Sequence, residues 1–327
     1  MRNNNASAPL LTARRAYNRV GLGLFVMTVI YIGLSYAVSY LLGNLAASGA
    51  ESAGYTWLRL ITSFAPLYLI AVPIGLLLMR TVPAPFSREY YLGAGEFFTF
   101  LLTCFPVMYA GNIIGQMISY AADGGKAQQS VMEFALDNHP VKIIIAVFLA
   151  PLIEEYVFRR QIIDRCSAYG EKQAILFSAL SFGLFHMNFV QFFYAFGMGL
   201  IFGYVYTRTR RIRYSAAMHM IVNFMGSVIA PFILRGVDTE KLLMSSSGSL
   251  HEEEMLQMLP SLMGFMIYAL AIFGLSVAGF VLLIVKARKV FFIPAAAEMP
   301  RGRRFIDVYC TVGVALFIAA CAVMFFI

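Results

Sequence analysis

"LAPLIEEYVFRR", residues 149–160, sets two adjacent carboxylates and two arginines inside a run with the composition of membrane-buried helix. Charges placed in lipid are costly and, where they occur, face a bundle interior or a watery cavity. The stretch therefore reads as one helix of a membrane bundle whose inner face holds the frame or does chemistry. The rest of the chain agrees. Its 327 residues are 60% hydrophobic and 13% charged, with a mean hydropathy of +0.74. A soluble globular chain carries about 25% charged residues. The expected fold class is all-α, a polytopic transmembrane helix bundle.

A spanning helix needs roughly 20 mainly apolar residues. Nine stretches read as spans: 18–43, 56–80, 96–120, 142–165, 172–187, 189–207, 212–234, 260–287 and 305–327. The fifth is short and runs into the sixth through almost no loop, so a hairpin that does not fully cross, with eight spans in all, is the alternative. The first is longer than the apolar region of a signal peptide, roughly 7–15 residues, and is expected to stay as a span; cleavage at the "NLAAS" flank is the other reading.

Lysine and arginine give the orientation, because cytoplasmic loops hold their excess. With the N-terminus cytoplasmic, inner segments collect the basic groups of the N-terminal tail and of residues 80–88, 159–172, 208–213 and 286–304, most of the 25 Lys and Arg. The outer loops keep Lys126, Lys142, Arg235 and Lys241. Nine crossings preserve this pattern and eight break it. The net charge of +8 is then explained by topology and by anionic lipid heads, and no nucleic-acid partner is expected. The chain is expected in the cell membrane as a multi-pass protein, with its site towards the cytoplasmic half.

The organisation that follows is a basic cytoplasmic tail (1–17), helices 1–3 with an outer loop (18–141), a membrane core of helices 4–7 (142–234), a polar outer loop (235–259) and two C-terminal helices (260–327). The first outer loop holds "ADGGKAQQS" and a short amphipathic helix around Val131–Leu136; His139 and His251 read as solvated loop residues. Cys104, Cys166, Cys310 and Cys321 form no C-x-x-C pair and read as small apolar packing residues. Ala195, Gly199 and Gly203, at four-residue spacing, let helices approach closely; packing within the chain is the expectation, a dimer face the alternative, and the sequence leaves monomer or homodimer open.

The deep polar residues cluster in spans four, five and seven. Glu155 and Arg159 are four apart with the acid first, the favourable orientation for a helix ion pair. Glu154 points about 100° away and so can enter a cavity that Glu155 does not. Phe182 and His186 share one face of span five, and His219 and Asn223 one face of span seven. Counted from the cytoplasmic helix ends, Glu154 and Asn223 lie roughly 16 Å deep, His219 about 10 Å and His186 about 21 Å, which makes His186 the outlier. Amide hydrolysis needs an activated water and donors for an oxyanion. Glu154 with one histidine suits the first task, and the other histidine with the Asn223 amide suits the second. Ser178 and Ser181 have no evident base beside them. Zinc held by Glu154, His186 and His219 is the competing arrangement; without an H-E-x-x-H helix, water activation without a metal is the expectation and the cofactor is otherwise unknown.

These residues carry a resemblance. E-E-x-x-x-R (Glu154, Glu155, Arg159), F-x-x-x-H (Phe182, His186) and H-x-x-x-N (His219, Asn223), in that order on successive membrane helices, resemble the CPBP family, which comprises CAAX prenyl endopeptidases and bacteriocin-processing and immunity-associated proteins. The resemblance covers about residues 142–230. It implies an intramembrane endopeptidase with a cavity open to the cytoplasmic side and to lipid, acting on a membrane-associated protein or peptide. It further implies that Glu154 and His186 activate water, that His219 and Asn223 stabilise the oxyanion, and that Glu155, Arg159 and Phe182 support them. A non-catalytic immunity or scaffold protein, or an ion-binding transporter, is the alternative from another class.

Overall fold

Hydrocarbon offers no water to an unpaired N–H or C=O, so an apolar chain that spans it satisfies its backbone within helices or a closed barrel. The computed structural model describes residues 12–47, 62, 64–85, 88–136, 139–234 and 252–326, and every regular element among them is helical. The chain is a multi-pass membrane protein. Helix α1 is Ala13–Ala47, α2 Pro66–Met79, α3 Ala94–Asp123 and α4 Lys126–Leu136. Helix α5 covers 140–166, α6 is Glu171–Leu184, α7 Phe189–Thr209 and α8 covers 212–234. Helix α9 is Glu252–Ala287, α10 Arg304–Tyr309 and α11 Val312–Met324.

Helical segments thus fall on all nine expected stretches. Five helices are long and apolar enough to cross a membrane on their own, and α10 with α11, bent by 61°, makes a sixth. Helix α5 has the length but carries the charges of its inner face. Helix α6, with 14 residues, rises only about 21 Å against a hydrocarbon core of about 30 Å, as expected for a short fifth span. Residues 1–11, 48–61 and 235–251, which include the start of the expected second span, Arg235, Lys241 and His251, lie outside the described residues.

The ends of the helices meet in an alternating pattern. Arg19 donates to Thr81 O at 3.1 Å and Arg165 Nε to Met79 O at 2.8 Å. Arg210 pairs with Asp164 at 3.0 Å, and Arg208 pairs with Glu171, which also accepts the Ile293 N–H at 2.8 Å. Met299 N–H donates to Tyr169 O at 3.1 Å and Leu92 N–H to the Tyr214 hydroxyl at 3.1 Å. The start of α1, the end of α2, the end of α5, the start of α6, the end of α7 and the start of α8 therefore share one end of the bundle. That end holds the basic groups assigned to the inner segments.

Three expectations need correction. The last stretch is not one straight helix: the Gly313 N–H, which would bond Tyr309 O in a continuous helix, donates instead to Asn18 Oδ1 of α1 at 2.8 Å. His139 is half-buried rather than solvated, and Lys142 is buried, because α5 begins at Pro140 and packs the loop end into the bundle.

Proline shapes three helices in the same way. Val72 N–H bonds to Leu67 O, Ala150 N–H to Ile145 O and Ala230 N–H to Met225 O, each five residues back instead of four, and each is followed by proline. These π-turns lie in α2, α5 and α8. The small-residue stripe of α7 packs within the chain as expected. A Cβ on Gly199 would stand 3.0 Å from Ala179 Cα and 3.4 Å from Phe182 Cδ1, and one on Gly203 would meet Ile175 at 3.1 Å. Gly199→Val is expected to lower stability by about 1–3 kcal/mol through overpacking, read by thermal unfolding in detergent. Gly264→Val, at a position with no atom within 4 Å of a Cβ, is expected to stay within about 0.5 kcal/mol.

Candidate active site

The two carboxylates of the opening stretch meet different surroundings. Glu155 is fully buried, and Arg159, one turn on, grips it with Nε at 3.1 Å from Oε2 and Nη2 at 3.3 Å from Oε1. The remaining arm of Arg159 donates to Ser178 Oγ of α6 at 2.9 Å, and Ser178 donates to Phe158 O at 2.6 Å. The guanidinium lies 4.8 Å from the Phe182 ring centre and 5.9 Å from that of Phe202, a cation–π arrangement that offsets lost hydration. One arginine thus joins α5, α6 and α7.

His219 stands between the carboxylates. Its Nδ1 is 3.3 Å from Glu155 Oε1 and its Nε2 is 3.7 Å from Glu154 Oε2. Its ring is held edge-on by Phe182, 5.6 Å away, and lies 5.5 Å from Phe202. Glu154 keeps a side chain 18% exposed while Glu155 has none, so Glu154 is the carboxylate free to meet a substrate. It also takes a hydrogen bond from the Tyr68 hydroxyl of α2.

Glu154 and His186 line one cavity of about 200 Å³, with Gln191 and Tyr31 as further polar side chains and Leu67, Phe158 and Phe185 among its apolar walls. His186 reaches it because α6 stops at Leu184. Its N–H bonds back to Gly183 O, and Met187 takes a left-handed φ of 55° that turns the chain into α7. Asn188 clamps this elbow: Oδ1 accepts the Gln191 N–H at 2.9 Å as the N-cap of α7, and Nδ2 donates to His186 O at 2.7 Å. The greater depth counted for His186 is therefore compatible with its meeting Glu154. His219 and Asn223 are not among the residues lining this cavity. The Asn223 amide donates to Ala146 O of α5 at 2.9 Å.

The comparisons with known proteins address this same region. Residues 137–225 match the model of the family described as type II CAAX prenyl endopeptidase Rce1-like. The chain is 24% identical over 165 residues to YdiL of Bacillus subtilis (strain 168), which carries a membrane-peptidase name, covering 48% of this chain and 66% of that protein. It is 34% identical over 91 residues to the membrane-embedded CAAX protease MroQ of Staphylococcus aureus (strain USA300), covering 26% of this chain and 37% of the relative. The chain therefore spans less than two thirds of the length of either. No solved structure matches the chain.

Glu154, Glu155, Arg159, Phe182, His186, His219 and Asn223 all lie within residues 137–225, the stretch that matches this family model. Tyr31 and Leu67, which complete the cavity, and Tyr68, which bonds Glu154, come from α1 and α2 outside it. Spacing within one helix did not reveal Tyr68, Ser178 or Gln191, whose partners are set by other helices. Asn188 had a readable signal, since an Asn between two apolar runs is a favoured helix N-cap. Among the described residues no three His, Cys, Asp or Glu side chains are arranged to hold a metal ion. Of the alternative zinc set, His219 approaches Glu154 but turns its other nitrogen to Glu155.

The Glu155–Arg159 pair makes a direct prediction for this part of the bundle. Arg159→Met leaves a buried, uncompensated carboxylate and is expected to destabilise by about 3–5 kcal/mol. Adding Glu155→Gln to it is expected to restore most of that loss, measured by the same unfolding assay.

Proposed function

We propose that the chain is an intramembrane endopeptidase that hydrolyses a peptide bond of a membrane-associated protein or peptide, in the manner of CAAX proteases, using a water held by Glu154 and His186. The observation that carries this reading is the cavity these two groups share, beside a second carboxylate already engaged by Arg159. Water attacks the carbonyl carbon as Glu154 takes its proton, a general-base role typically worth about 10²–10⁴-fold. The C–N bond then breaks, the proton held by Glu154 passes to the leaving amine, and the other fragment keeps a new carboxylate.

His219 faces the developing oxyanion through Nε2. The Glu155 carboxylate opposite Nδ1 orients the ring and stabilises positive charge on it as that donation strengthens. The partly exposed Glu154, the aromatic cavity wall and the similarity to an Rce1-like family and to MroQ support a substrate that arrives in the bilayer. Water activation proceeds from Glu154 and His186 without a resident zinc, and the site opens towards the cytoplasmic half of the cell membrane.

Glu154→Gln protein is expected to insert and to unfold at the wild-type temperature, yet to lose cleavage by at least about 10²-fold. Membrane peptidomes of cells with and without the protein supply the native substrate for this assay. Undiminished processing by Glu154→Gln would rule the peptidase reading out. A chelator titration of the purified protein is expected to leave the rate unchanged; a loss restored by added zinc would overturn the metal-free step.

A further inference from the structure

The carbonyl of Ala146 has lost its donor within its own helix. In an α-helix a carbonyl accepts the N–H four residues on, but the Ala150 N–H is taken by Ile145 O, five residues back. In that shifted register Ala146 O would accept the next N–H, at position 151. Residue 151 is proline and has none. Neither register can serve Ala146, and the membrane interior offers no water in exchange. The donor that fills the gap comes from another helix, Asn223 Nδ2 of α8 at 2.9 Å.

Asn223 lies one turn beyond His219 on α8, and His219 faces Glu154 and Glu155 on α5. The two helices are therefore joined twice, where His219 approaches the two carboxylates and where Asn223 makes one hydrogen bond to a backbone that proline left open. The amide nitrogen of Asn223 is engaged by the Ala146 carbonyl. We propose that Asn223 is a positioning residue: it fills the carbonyl orphaned by Pro151 and so holds α5 in the register that presents Glu154 to the cavity. Pro151 and Asn223 then form one unit. The catalytic consequence rests on the reading of Glu154 as the base; the tie between the helices does not.

The pairing predicts a rescue that an oxyanion donor would not show. Pro151→Ala returns an N–H to this turn, and Ala146 O is then satisfied whether the turn stays in the π register or relaxes to the α register. Three purified variants, Asn223→Ala, Pro151→Ala and the double variant, are compared for thermal unfolding in detergent and for kcat and KM on a cleaved substrate.

Asn223→Ala is expected to unfold at a lower temperature and to lose about 10²-fold in kcat, the scale of a misplacement near 1 Å, with KM little changed. Pro151→Ala is expected to keep activity, and the double variant to regain both the unfolding temperature and kcat of Pro151→Ala. A double variant no more stable than Asn223→Ala would overturn the tie. Recovery of stability without recovery of kcat would overturn the positioning role and return Asn223 to the substrate's oxyanion. If the wild-type protein cleaves nothing, the peptidase reading falls, while recovery or non-recovery of stability still decides the tie.

Discussion

One ionised carboxylate in the middle of an apolar bundle sets the terms for everything around it. Glu155 has no exposed surface, and a lone buried charge is among the costliest groups a fold can hold. Arg159 meets both of its oxygens, and the same guanidinium reaches Ser178 on α6 and the faces of Phe182 and Phe202. Moving any of α5, α6 or α7 would open part of this arrangement. Order at the site therefore rests on charge satisfaction together with the close packing of α7 on α6 at Gly199. Glu154, one residue away, is turned aside by helical phase and left partly exposed. The frame and the proposed base can thus be adjacent in sequence without competing for the same partners.

Much of this was legible because it is periodic. The helical stretches follow from apolar runs, and the Glu155–Arg159 contact follows from a spacing of four. The same spacing put Phe182 beside His186, where their rings lie 5.2 Å apart. Periodicity fails where a partner sits on another helix. Asn223 could be assigned to the face of His219, but nothing within α8 says that Ala146 O lies opposite. That fact is set by a proline 72 positions earlier. Similarly, the bend between α10 and α11 has no cause in its own apolar run; it arises because Asn18 of α1 captures the Gly313 N–H. His139 and Lys142 looked like loop residues because the reading could not see how closely Pro140 starts the next helix.

The site also divides between two regions of the chain. The chemistry-bearing groups lie inside residues 137–225, while Tyr31, Leu67 and Tyr68 approach from α1 and α2. Helix α1 is fixed in turn by α11, through Asn18 and the close approach at Gly313. The N- and C-terminal helices therefore bear on the cavity without supplying any of the residues expected to act on a peptide bond.

The three π-turns suggest how such a bundle tolerates proline near its site. A proline inside a membrane helix removes one N–H, and its ring collides with the carbonyl of the preceding turn. Stepping the preceding hydrogen bond back by one residue, as at Val72, Ala150 and Ala230, widens the turn and gives the ring room. The remaining defect is a single carbonyl with no donor of its own helix. These turns occur in α2, α5 and α8, the helices that carry Tyr68, Glu154 and His219. In α5 the open carbonyl has become the point where a second helix attaches. A local defect in one helix thus supplies a specific polar contact between two helices, where apolar side chains alone would leave their register poorly determined.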